Sequence, residues 1–381
     1  MRILLINYEY PPVGGGGGEV SRFHAEGFAS RGHDVKVLTV KWDNLPSRET
    51  VRPGLEIHRI RAFRKSANRC TPPRMAAFTI LGTIAAARIC RRWRPDIIHC
   101  HFAVPVAPVG YFLNILFDVP FFVTLHGGDV PGHQPKDTAA YFRIIAPPVK
   151  HILKKAALCI AVSEHLGERA IKGYGLENVQ VIHNGVNLEM FYPRKSERNW
   201  RETRFVFAGR FSRVKRLQVL VEAVKILSEE HPEKFSVTLI GGGPEENNLR
   251  KAISENKLGT YIEFAGWKSR AVLADILRRS DVFVLPSEME GMPMSCLQAM
   301  STGLPIAGTR IRGILEVVKE EQTALLAEPG DAKSLAGIMS RFISTPALIE
   351  KLGARGREIV LTHYRWESVI TKYLERMGSI L

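Results

Sequence analysis

One stretch of the chain, DVFVLPSEMEGMPMSCLQAMSTG, constrains the fold most strongly, because it predicts a strand that ends directly at the start of a helix. Its first part, DVFVLP, is an apolar run typical of a buried strand. Pro293 suits the first position of a helix, since its φ is preset and it has no N–H to leave unpaired. Gly303 suits the position just after the helix. The free N–H groups at such a helix start carry a partial positive charge, so the stretch predicts an anion site beside Glu290.

The same succession of an apolar strand, a glycine turn and a helix recurs elsewhere in the chain. RILLINYEYPP is followed by five glycines, Gly14 to Gly18, and then by a helical pattern and the apolar run VKVLTV. SVTLIGGGPEENNLRKAI repeats this order later. Alternating strands and helices of this kind predict α/β domains built on parallel sheets. With 381 residues, 45% of them hydrophobic, the chain is long enough for two such domains.

The glycine run does not match a dinucleotide-binding fingerprint. Started at any of its first three glycines, the motif G-x-G-x-x-G would place its last glycine on a position that holds Glu19, Val20 or Ser21. The failed match disfavours a nicotinamide-dependent oxidoreductase. A loop without Cβ atoms still allows backbone N–H groups to approach a phosphate closely.

The chain is strongly basic, with 53 basic and 38 acidic side chains, a net charge of +15 and a pI near 9.7. Arginines cluster in two stretches of the N-terminal half, HRIRAFRKSANRC and RICRRWRP. This balance fits a nucleic acid, an anionic membrane surface or phosphorylated substrates as the partner. Nucleic acid ranks last, because the sequence has no RNP-like aromatic pattern, zinc-finger spacing or compact recognition helix. A membrane surface with a lipid-linked acceptor ranks first, and a solvated basic face is the competing interpretation.

The cysteines argue against disulfides and against a structural metal. They are five in number, scattered, and never in C-x-x-C spacing: Cys70, Cys90, Cys100, Cys159 and Cys296. This usage indicates reduced thiols in a cytosolic protein. His99 and His101 flank one of them, but no third and fourth ligand is spaced for a metal ion. We therefore expect no metal site.

Neither a leader nor a membrane span is expected. The start, MRILLIN, has strand character and no cleavable apolar region. The longest uncharged apolar stretch that could be considered as a membrane span, MAAFTILGTIAAA, is too short to cross a bilayer. It predicts a buried helix. We expect a cytoplasmic protein. The basic charge suggests peripheral binding to the inner face of the membrane as the alternative.

The stretch that begins at Glu290 resembles a known family signature. E-G-M-P-M-S-C-L-Q-A-M-S-T-G-L-P is similar to the signature of the retaining glycosyltransferases of family 4, also called glycosyl transferases group 1. The resemblance implies the GT-B fold: two Rossmann-like parallel-sheet domains that face a central cleft, with a C-terminal helix that crosses back to the first domain. It implies an acceptor-binding domain of residues 1–187 joined by the helix 363–381, a linker 188–204, and a nucleotide-sugar-binding domain of residues 205–362.

The signature implies roles for five residues. Glu290 matches the family's first glutamate, which together with Gly291 holds the hydroxyls of the donor sugar, so Glu290 is a catalytic candidate. Met292 and Met294 are expected at the donor diphosphate. Gln298 stands where the family has a second glutamate that binds the ribose. A glutamine lacks the charge and the second acceptor of a carboxylate, so we expect weaker ribose binding.

Further resemblances concern the donor nucleotide. Arg210 and Lys215 follow the apolar run FVFAG and resemble the family's G-R-x-x-x-x-K pair, which holds the diphosphate. Arginine can bind two oxygens with its planar fork, and lysine supplies a compact point charge. The glycine run resembles the family's P-P-x-x-G-G-x-E segment, which makes Gly16 and Gly17 additional diphosphate candidates. Trp267, after the strand IEFAG, is a candidate for the nucleobase.

The segment His126-Gly127-Gly128-Asp129 follows a predicted strand and resembles the family's H-G-x-D segment. In the family this histidine contacts the donor sugar or the acceptor, so the resemblance makes His126 a catalytic candidate. It places Asp129 at the rim of the acceptor or sugar site.

The resemblance implies transfer of a hexose from a UDP or GDP sugar to a hydroxyl acceptor, with retention of configuration. Such reactions serve the synthesis of cell-surface polysaccharide, lipopolysaccharide or glycolipid. The chain has no D-x-D motif, so we expect no metal and no other cofactor. Two alternatives stay open. Gln298 leaves a catalytically weakened sugar-nucleotide-binding protein open, and the fold leaves open another GT-B enzyme such as a sugar-nucleotide epimerase.

Overall fold

The structure is a computed structural model, and it describes residues 1–64, 70–131, 139–177, 179–194 and 201–381. Two stretches named from the sequence are therefore described only in part. Residues 65–69 of the arginine-rich stretch and residues 195–200 of the expected linker lie outside the described residues.

The chain forms two compact units. The first comprises Met1–Asn184 together with Trp366–Leu381, and the second comprises Gly185–Arg365. We expected the division after residue 187 and before residue 363. The segment 188–204, expected as a linker, is counted here with the second unit.

The first unit is built on an eight-stranded sheet with the order β3-β4-β2-β1-β5-β6-β7-β8. The strands pair in parallel except for the antiparallel pair β3 and β4. The central strands are apolar and buried along most of their length, as expected for parallel strands covered on both faces. The strands are β1 Arg2–Ile6, β2 Asp34–Val40, β3 Arg48–Arg52, β4 Leu55–Ile60, β5 Ile97–His101, β6 Phe121–Leu125, β7 Leu158–Ala161 and β8 Val179–Val181.

The helices of the first unit include the last helix of the chain. They are α1 Gly16–Ala29, α2 Pro72–Trp93, α3 Ala107–Phe117, α4 Ala139–Lys155, α5 Glu164–Tyr174 and α13 Trp366–Ile380. Trp366 stacks on Phe23 of α1 with ring centroids 4.7 Å apart. A Cβ atom on Gly27 would lie 2.6 Å from a carbon of Ile370, so the two helices touch closely at that glycine. The expected return of the C-terminal helix to the first domain is confirmed.

The second unit is built on a six-stranded parallel sheet with the order β11-β10-β9-β12-β13-β14. The chain order reverses between β9 and β12, which is where ligands bind in open α/β sheets. The strands are β9 Thr203–Arg210, β10 Phe235–Gly242, β11 Ile262–Gly266, β12 Val282–Leu285, β13 Ile306–Thr309 and β14 Ala324–Ala327. The helices are α6 Leu217–Glu230, α7 Glu246–Glu255, α8 Arg270–Arg279, α9 Met294–Ser301, α10 Arg312–Leu315, α11 Ala332–Ser344 and α12 Pro346–His363.

Two helix starts differ from the sequence-based expectation. Helix α9 begins at Met294, and Pro293 is its N-cap residue with φ −73° and ψ 98°, because its extended ψ places it just outside the helix. Helix α1 begins at Gly16, so Gly16, Gly17 and Gly18 form its first turn rather than a loop. The expected end of α9 agrees with the structure, since Gly303 follows it with a φ of 75°.

Among the described residues, no helix is both long enough and apolar enough to cross a membrane. The apolar stretch that was expected to form a buried helix lies within α2. Phe78, Gly82 and Ala86 are buried on one side of α2, whereas Ile80 and Ile84 on another side are exposed. The prediction of a buried helix is therefore correct for only one face of it.

Candidate functional site

The carboxyl ends of β9 and β12 bring the main candidates of the second unit together. Arg210 is the last residue of β9, and its strand pairs directly with β12. A short 3-10 helix, Arg213–Lys215, follows, and its Val214 carbonyl accepts a hydrogen bond from the N–H of Glu288 over 2.8 Å. A Cβ atom on Gly209 would lie 4.0 Å from Cε of Lys215, so the lysine side chain passes over the residue next to Arg210.

Lys215 forms an ion pair with Glu290. Its Nζ lies 2.6 Å from Oε1 of Glu290, and both side chains are largely withdrawn from solvent, with 18% and 10% exposure. The hydroxyl of Ser287, a fully buried residue, donates to the same carboxylate oxygen over 2.6 Å. The structure therefore joins a residue expected at the diphosphate to one expected at the sugar. Ser287 was not among the expected site residues, although it directly follows the strand and proline of the focal stretch.

The loop that carries Glu290 is held in place by its neighbours. The Thr309 hydroxyl donates to the Ser287 carbonyl. A Cβ atom on Gly313 would lie only 2.1 Å from the carbonyl oxygen of Glu290. Helix α10 thus approaches the loop so closely that only a glycine fits at position 313. These contacts limit the freedom of Glu290 before any ligand binds.

Helix α9 starts directly after this loop. Its first hydrogen bonds run from the N–H groups of Cys296 and Leu297 to the Pro293 carbonyl, so Met294 lies in the first turn, where N–H groups have no acceptor within the helix. Met292 is buried, and Gln298 lies one turn into the helix with a half-buried side chain. The Gln298 amide makes no hydrogen bond to any other described residue, which leaves it available to a ligand.

Trp267 lies at the same end of the sheet. It follows β11 and is 57% exposed. A Cβ atom on Gly242 would lie 2.9 Å from the Trp267 indole nitrogen, and one on Gly241 would lie 1.9 Å from the Gly209 carbonyl oxygen. The two glycines that end β10 therefore pack between the indole and the end of β9.

In the first unit, the first turn of α1 lies against His126. A Cβ atom on Gly17 would lie 2.4 Å from Cζ of Phe102 and 3.4 Å from Cγ of His126. The structure therefore brings Gly17 and His126 together and adds Phe102, which sequence reasoning missed. Gly16 and Gly17 are the first two residues of the helix, where N–H groups have no partner within the helix itself.

A carboxylate that was not expected lies at the same helix start. Glu9 accepts a hydrogen bond from the N–H of Gly15 over 3.2 Å. Its other oxygen lies 3.8 Å from the guanidinium of Arg64. One position at the start of α1 is thus already occupied by an acid, which lowers the local attraction for a phosphate. No motif in the sequence points to this contact.

Asp129 is an internal support of the loop after β6. It is 3% exposed, and its carboxylate accepts hydrogen bonds from the N–H groups of Ala103, His126 and Gly127 over 2.7, 3.1 and 3.0 Å. Burial raises the pKa of Asp129, and the three N–H donors oppose that shift. The side chain expected at a rim is buried, because these three backbone donors hold it inside.

Three histidines form a chain that leads inward from His126. His101 Nδ1 lies 2.9 Å from His126 Nε2, and His101 Nε2 lies 3.4 Å from His24 Nδ1. His24 and His101 are fully buried. Burial lowers the pKa of His126 to about 3 and lowers the pKa values of His24 and His101 well below the ordinary value. All three rings are therefore neutral at pH 7.

His24, His99 and His101 offer three ring nitrogens that all lie within 4.8 Å of one another. In the sequence, no third ligand near His99 and His101 is spaced for a metal ion. Helix α1 supplies that third histidine from a distant part of the chain. A signal was present in the sequence, since His24 falls on the apolar face of α1 with Val20 and Phe28.

Two family models together cover most of the chain. Residues 14–190 match the family described as Glycosyltransferase Family 4. Residues 190–359 match the family described as Glycosyl transferases group 1. The two matches adjoin at residue 190, close to the division between the two units.

Curated relatives match over nearly their whole length. The chain is 26% identical to the glycogen synthase of Mycobacterium tuberculosis strain H37Rv over 389 residues, which cover 97% of this chain and 93% of the relative. It is 27% identical to the N-acetyl-alpha-D-glucosaminyl L-malate synthase of Bacillus anthracis over 378 residues, which cover 96% of this chain and 93% of the relative.

Solved structures show the same fold over the entire chain. The sucrose-phosphate synthase from Thermosynechococcus elongatus superposes with a TM-score of 0.89 at 24% identity, covering 100% of this chain and 99% of that one. Anabaena HepE, in complex with UDP and glucose, superposes with a TM-score of 0.79 at 17% identity, covering 100% of both chains. The chain therefore belongs to the glycosyl transferases group 1, the retaining, nucleotide-sugar-dependent glycosyltransferases of family 4, and it has the GT-B fold.

Proposed function

We propose that the protein transfers a hexose from a UDP sugar to a hydroxyl group of an acceptor. The observation that carries this proposal is the ion pair between Lys215 and Glu290 at the end of β12, beside Arg210 at the end of β9. An acid that orients sugar hydroxyls and two cations that neutralise a diphosphate are the groups that this reaction needs.

The bond changes assign a task to each group. The bond from the anomeric carbon to the phosphate oxygen breaks, and a bond to the acceptor oxygen forms on the same face. The proton of the acceptor hydroxyl passes to the departing phosphate oxygen. Arg210, Lys215 and the N–H groups near Met292 and Met294 stabilise the negative charge that develops on the diphosphate. Glu290 and Gly291 bind the sugar hydroxyls, and Glu290 is not the covalent nucleophile.

UDP-glucose is the donor that the comparisons favour. HepE, which shares the fold, has been solved with UDP-glucose bound, at a TM-score of 0.78 and 16% identity. In our proposal Trp267 contacts the base and Gln298 binds the ribose. GDP sugars are the competing donors, since nothing at Trp267 distinguishes the two bases.

Gln298 also supports a second candidate function, a sugar-nucleotide-binding protein with little turnover. The amide has one acceptor oxygen in place of the two of a carboxylate, so it can bind only one ribose hydroxyl as an acceptor. Binding without turnover would favour this candidate, and the comparisons with glycosyltransferases favour the enzyme.

In the first unit we assign His126, Gly16 and Gly17 to the ligand and Asp129 to support. His126 lies beside the start of α1 and keeps a partly exposed ring, so it can donate to a sugar or acceptor oxygen. Gly16 and Gly17 can offer N–H groups to a phosphate, although Glu9 weakens this site. Asp129 acts by holding the backbone of His126.

The test is a donor panel measured twice, by thermal shift and by donor hydrolysis, in EDTA. A ligand that binds the native state alone raises the melting temperature. We expect UDP-glucose to raise it and to release glucose slowly, while GDP and ADP sugars do neither. A stronger shift with a GDP sugar would overturn the choice of base. If UDP-glucose binds but no sugar is released, even with an extract that contains acceptors, the result would favour the second candidate, a sugar-nucleotide-binding protein with little turnover.

The acceptor side of the proposal includes an anionic membrane surface. Helices α2, α3 and α4 of the first unit carry exposed large apolar side chains: Ile80, Ile84, Phe112, Ile115, Leu116 and Ile144. These three helices contain no acidic residue in their sequences. Their exposed basic residues include Arg88, Arg91, Arg92, Lys150, Lys154 and Lys155. Apolar side chains beside cations are the combination that binds an anionic lipid surface.

Vesicle sedimentation tests this surface. Phosphatidylcholine vesicles with about a third of anionic phosphatidylglycerol should bind the protein, and pure phosphatidylcholine vesicles should not. The double variant Ile115→Asp with Leu116→Asp should weaken binding at least about tenfold. Val272→Asp, at an exposed apolar position on α8 of the second unit, serves as the control. Equal binding by the two variants, or binding without regard to lipid charge, would refute the membrane assignment.

A further inference from the structure

We propose that His24 and His101 set the tautomer of His126, so that His126 carries its hydrogen on Nδ1 and presents it to the ligand. Both are positioning residues, because they act through His126. That a ligand accepts this hydrogen bond from His126 rests on the proposed function, whereas the tautomer itself does not.

The geometry leaves only two arrangements of the hydrogens. The three rings are neutral at pH 7, so each carries one N–H and one lone pair. Each of the two contacts, His24 Nδ1 to His101 Nε2 and His101 Nδ1 to His126 Nε2, needs one hydrogen. The hydrogens must therefore all point outward toward His126 or all point inward toward His24.

The inner end of the chain decides between the two directions. His24 Nε2 is buried and has no hydrogen-bond partner among the described residues. In the inward arrangement this nitrogen would carry a hydrogen with no acceptor, on a ring that packs against Tyr373 and Trp366. A buried N–H without an acceptor is rarer in proteins than an acceptor without a donor. The outward arrangement leaves only a lone pair at that nitrogen, so it is the favoured one.

The outer end of the chain is suited to a ligand. In the outward arrangement His126 Nε2 accepts from His101, and His126 Nδ1 carries the hydrogen. His126 Nδ1 makes no hydrogen bond to any other described residue, and the ring lies against the first turn of α1 at Gly17. Hydroxyl and phosphate oxygens accept such a hydrogen, so a neutral histidine can bind them without being protonated.

A metal ion is the competing occupant of the same cluster. Such an ion would have to replace the contact between His24 and His101 and recruit His99. His99 stacks on His24 with ring centroids 5.4 Å apart and an interplanar angle of 28°, and its Nε2 already lies 2.8 Å from the Thr124 hydroxyl. Ligating nitrogens point at a metal along their ring planes, whereas stacked rings direct those planes side by side. The geometry therefore favours the hydrogen-bonded chain.

The experiment is ¹⁵N NMR of histidine-labelled protein, without any donor present. Long-range ¹H–¹⁵N spectra distinguish a protonated from a bare ring nitrogen, and His126→Asn identifies the signals of His126. In the native protein we expect a bare Nε2 and a protonated Nδ1. In His24→Leu we expect a mixture of the two tautomers. His24→Asn, whose amide can donate from the position of Nδ1, should restore the native pattern.

Three results would overturn the proposal. They are a protonated Nε2 on His126 in the native protein, an unchanged tautomer in folded His24→Leu, and stoichiometric zinc whose removal alters the histidine signals. The parallel measurement is donor hydrolysis, where His24→Leu should lower kcat/KM about tenfold and His24→Asn about twofold or less. Since the spectra need no donor, an inactive protein with the expected tautomers would count against the proposed function alone.

Discussion

Lys215 Nζ lies 2.6 Å from Glu290 Oε1, so the cation that we assign to the diphosphate is paired with the acid that we assign to the sugar. The pair is only partly exposed, and Ser287 adds a hydrogen bond to the same oxygen. In our proposal the donor places its diphosphate beside a lysine whose position is already fixed. Such preorganisation avoids part of the cost of ordering a flexible side chain in the transition state.

Removal of the Lys215 side chain should reduce turnover strongly. We expect Lys215→Ala to lower kcat/KM for donor hydrolysis by at least about a hundredfold, roughly 3 kcal/mol of transition-state stabilisation. Lys225→Ala, which removes an exposed lysine on the nearby helix α6, should stay within about twofold. Comparable losses in the two variants would mean that general charge, and not this site, is responsible.

The ribose assignment predicts a gain of affinity. Gln298→Glu should tighten binding of UDP-glucose by about tenfold, because a carboxylate can accept hydrogen bonds from two ribose hydroxyls. Isothermal titration measures the dissociation constant directly. Gln298→Leu, which removes both polar groups, should weaken binding. If neither variant changes the affinity, Gln298 does not contact the donor.

Gly313 should tolerate no side chain. A Cβ atom there would meet the Glu290 carbonyl oxygen at 2.1 Å, and a backbone atom cannot turn aside. We expect Gly313→Ala to lower the free energy of unfolding by about 1–3 kcal/mol and to reduce turnover as the loop of Glu290 shifts. Gly337→Ala is the matched control, since no atom lies within 4 Å of its Cβ position in helix α11. This control should be neutral or stabilising by up to about 1 kcal/mol.

Acid should destabilise the first unit through its buried histidines. Burial depresses the pKa of His24 in the folded protein below the value of 6.5 that it has when unfolded. The unfolded chain therefore binds more protons below pH 6.5, and the free energy of unfolding falls as the pH decreases. One such histidine contributes a slope of up to about 1.4 kcal/mol per pH unit. Urea unfolding between pH 7 and 4.5 should show a shallower decline in His24→Leu than in the native protein. Parallel curves would contradict this assignment.

The sequence predicted the second unit well because its site depends on local order. Arg210 and Glu290 each follow an apolar strand, and the carboxyl ends of parallel strands meet at one edge of a sheet. The positions of Arg210 and Glu290 could therefore be expected from strand ends, and that of Lys215 from its place between β9 and the next helix. Glu290's contact with Gly313 could not, since it depends on how closely α10 packs.

The first unit was predicted less completely because its contacts join distant parts of the chain. His24 meets His101 across 77 positions, and Glu9 reaches Gly15 through the shape of a turn. Neither contact follows from a motif. Hydrophobic periodicity places His24 on the apolar face of α1, but it does not say which residue His24 meets. The burial of Asp129 has the same origin, since one of its three donors is Ala103, which lies after another strand.

The central claim is that side chains of the protein neutralise the departing diphosphate, and Arg210 tests it most directly. The measurement is kcat/KM for UDP-glucose hydrolysis in EDTA, for Arg210→Ala and for Arg213→Ala, an exposed arginine three residues later. The account predicts a loss of at least about a hundredfold for Arg210→Ala and less than about twofold for Arg213→Ala. Turnover of Arg210→Ala within a few-fold of the native protein would contradict it.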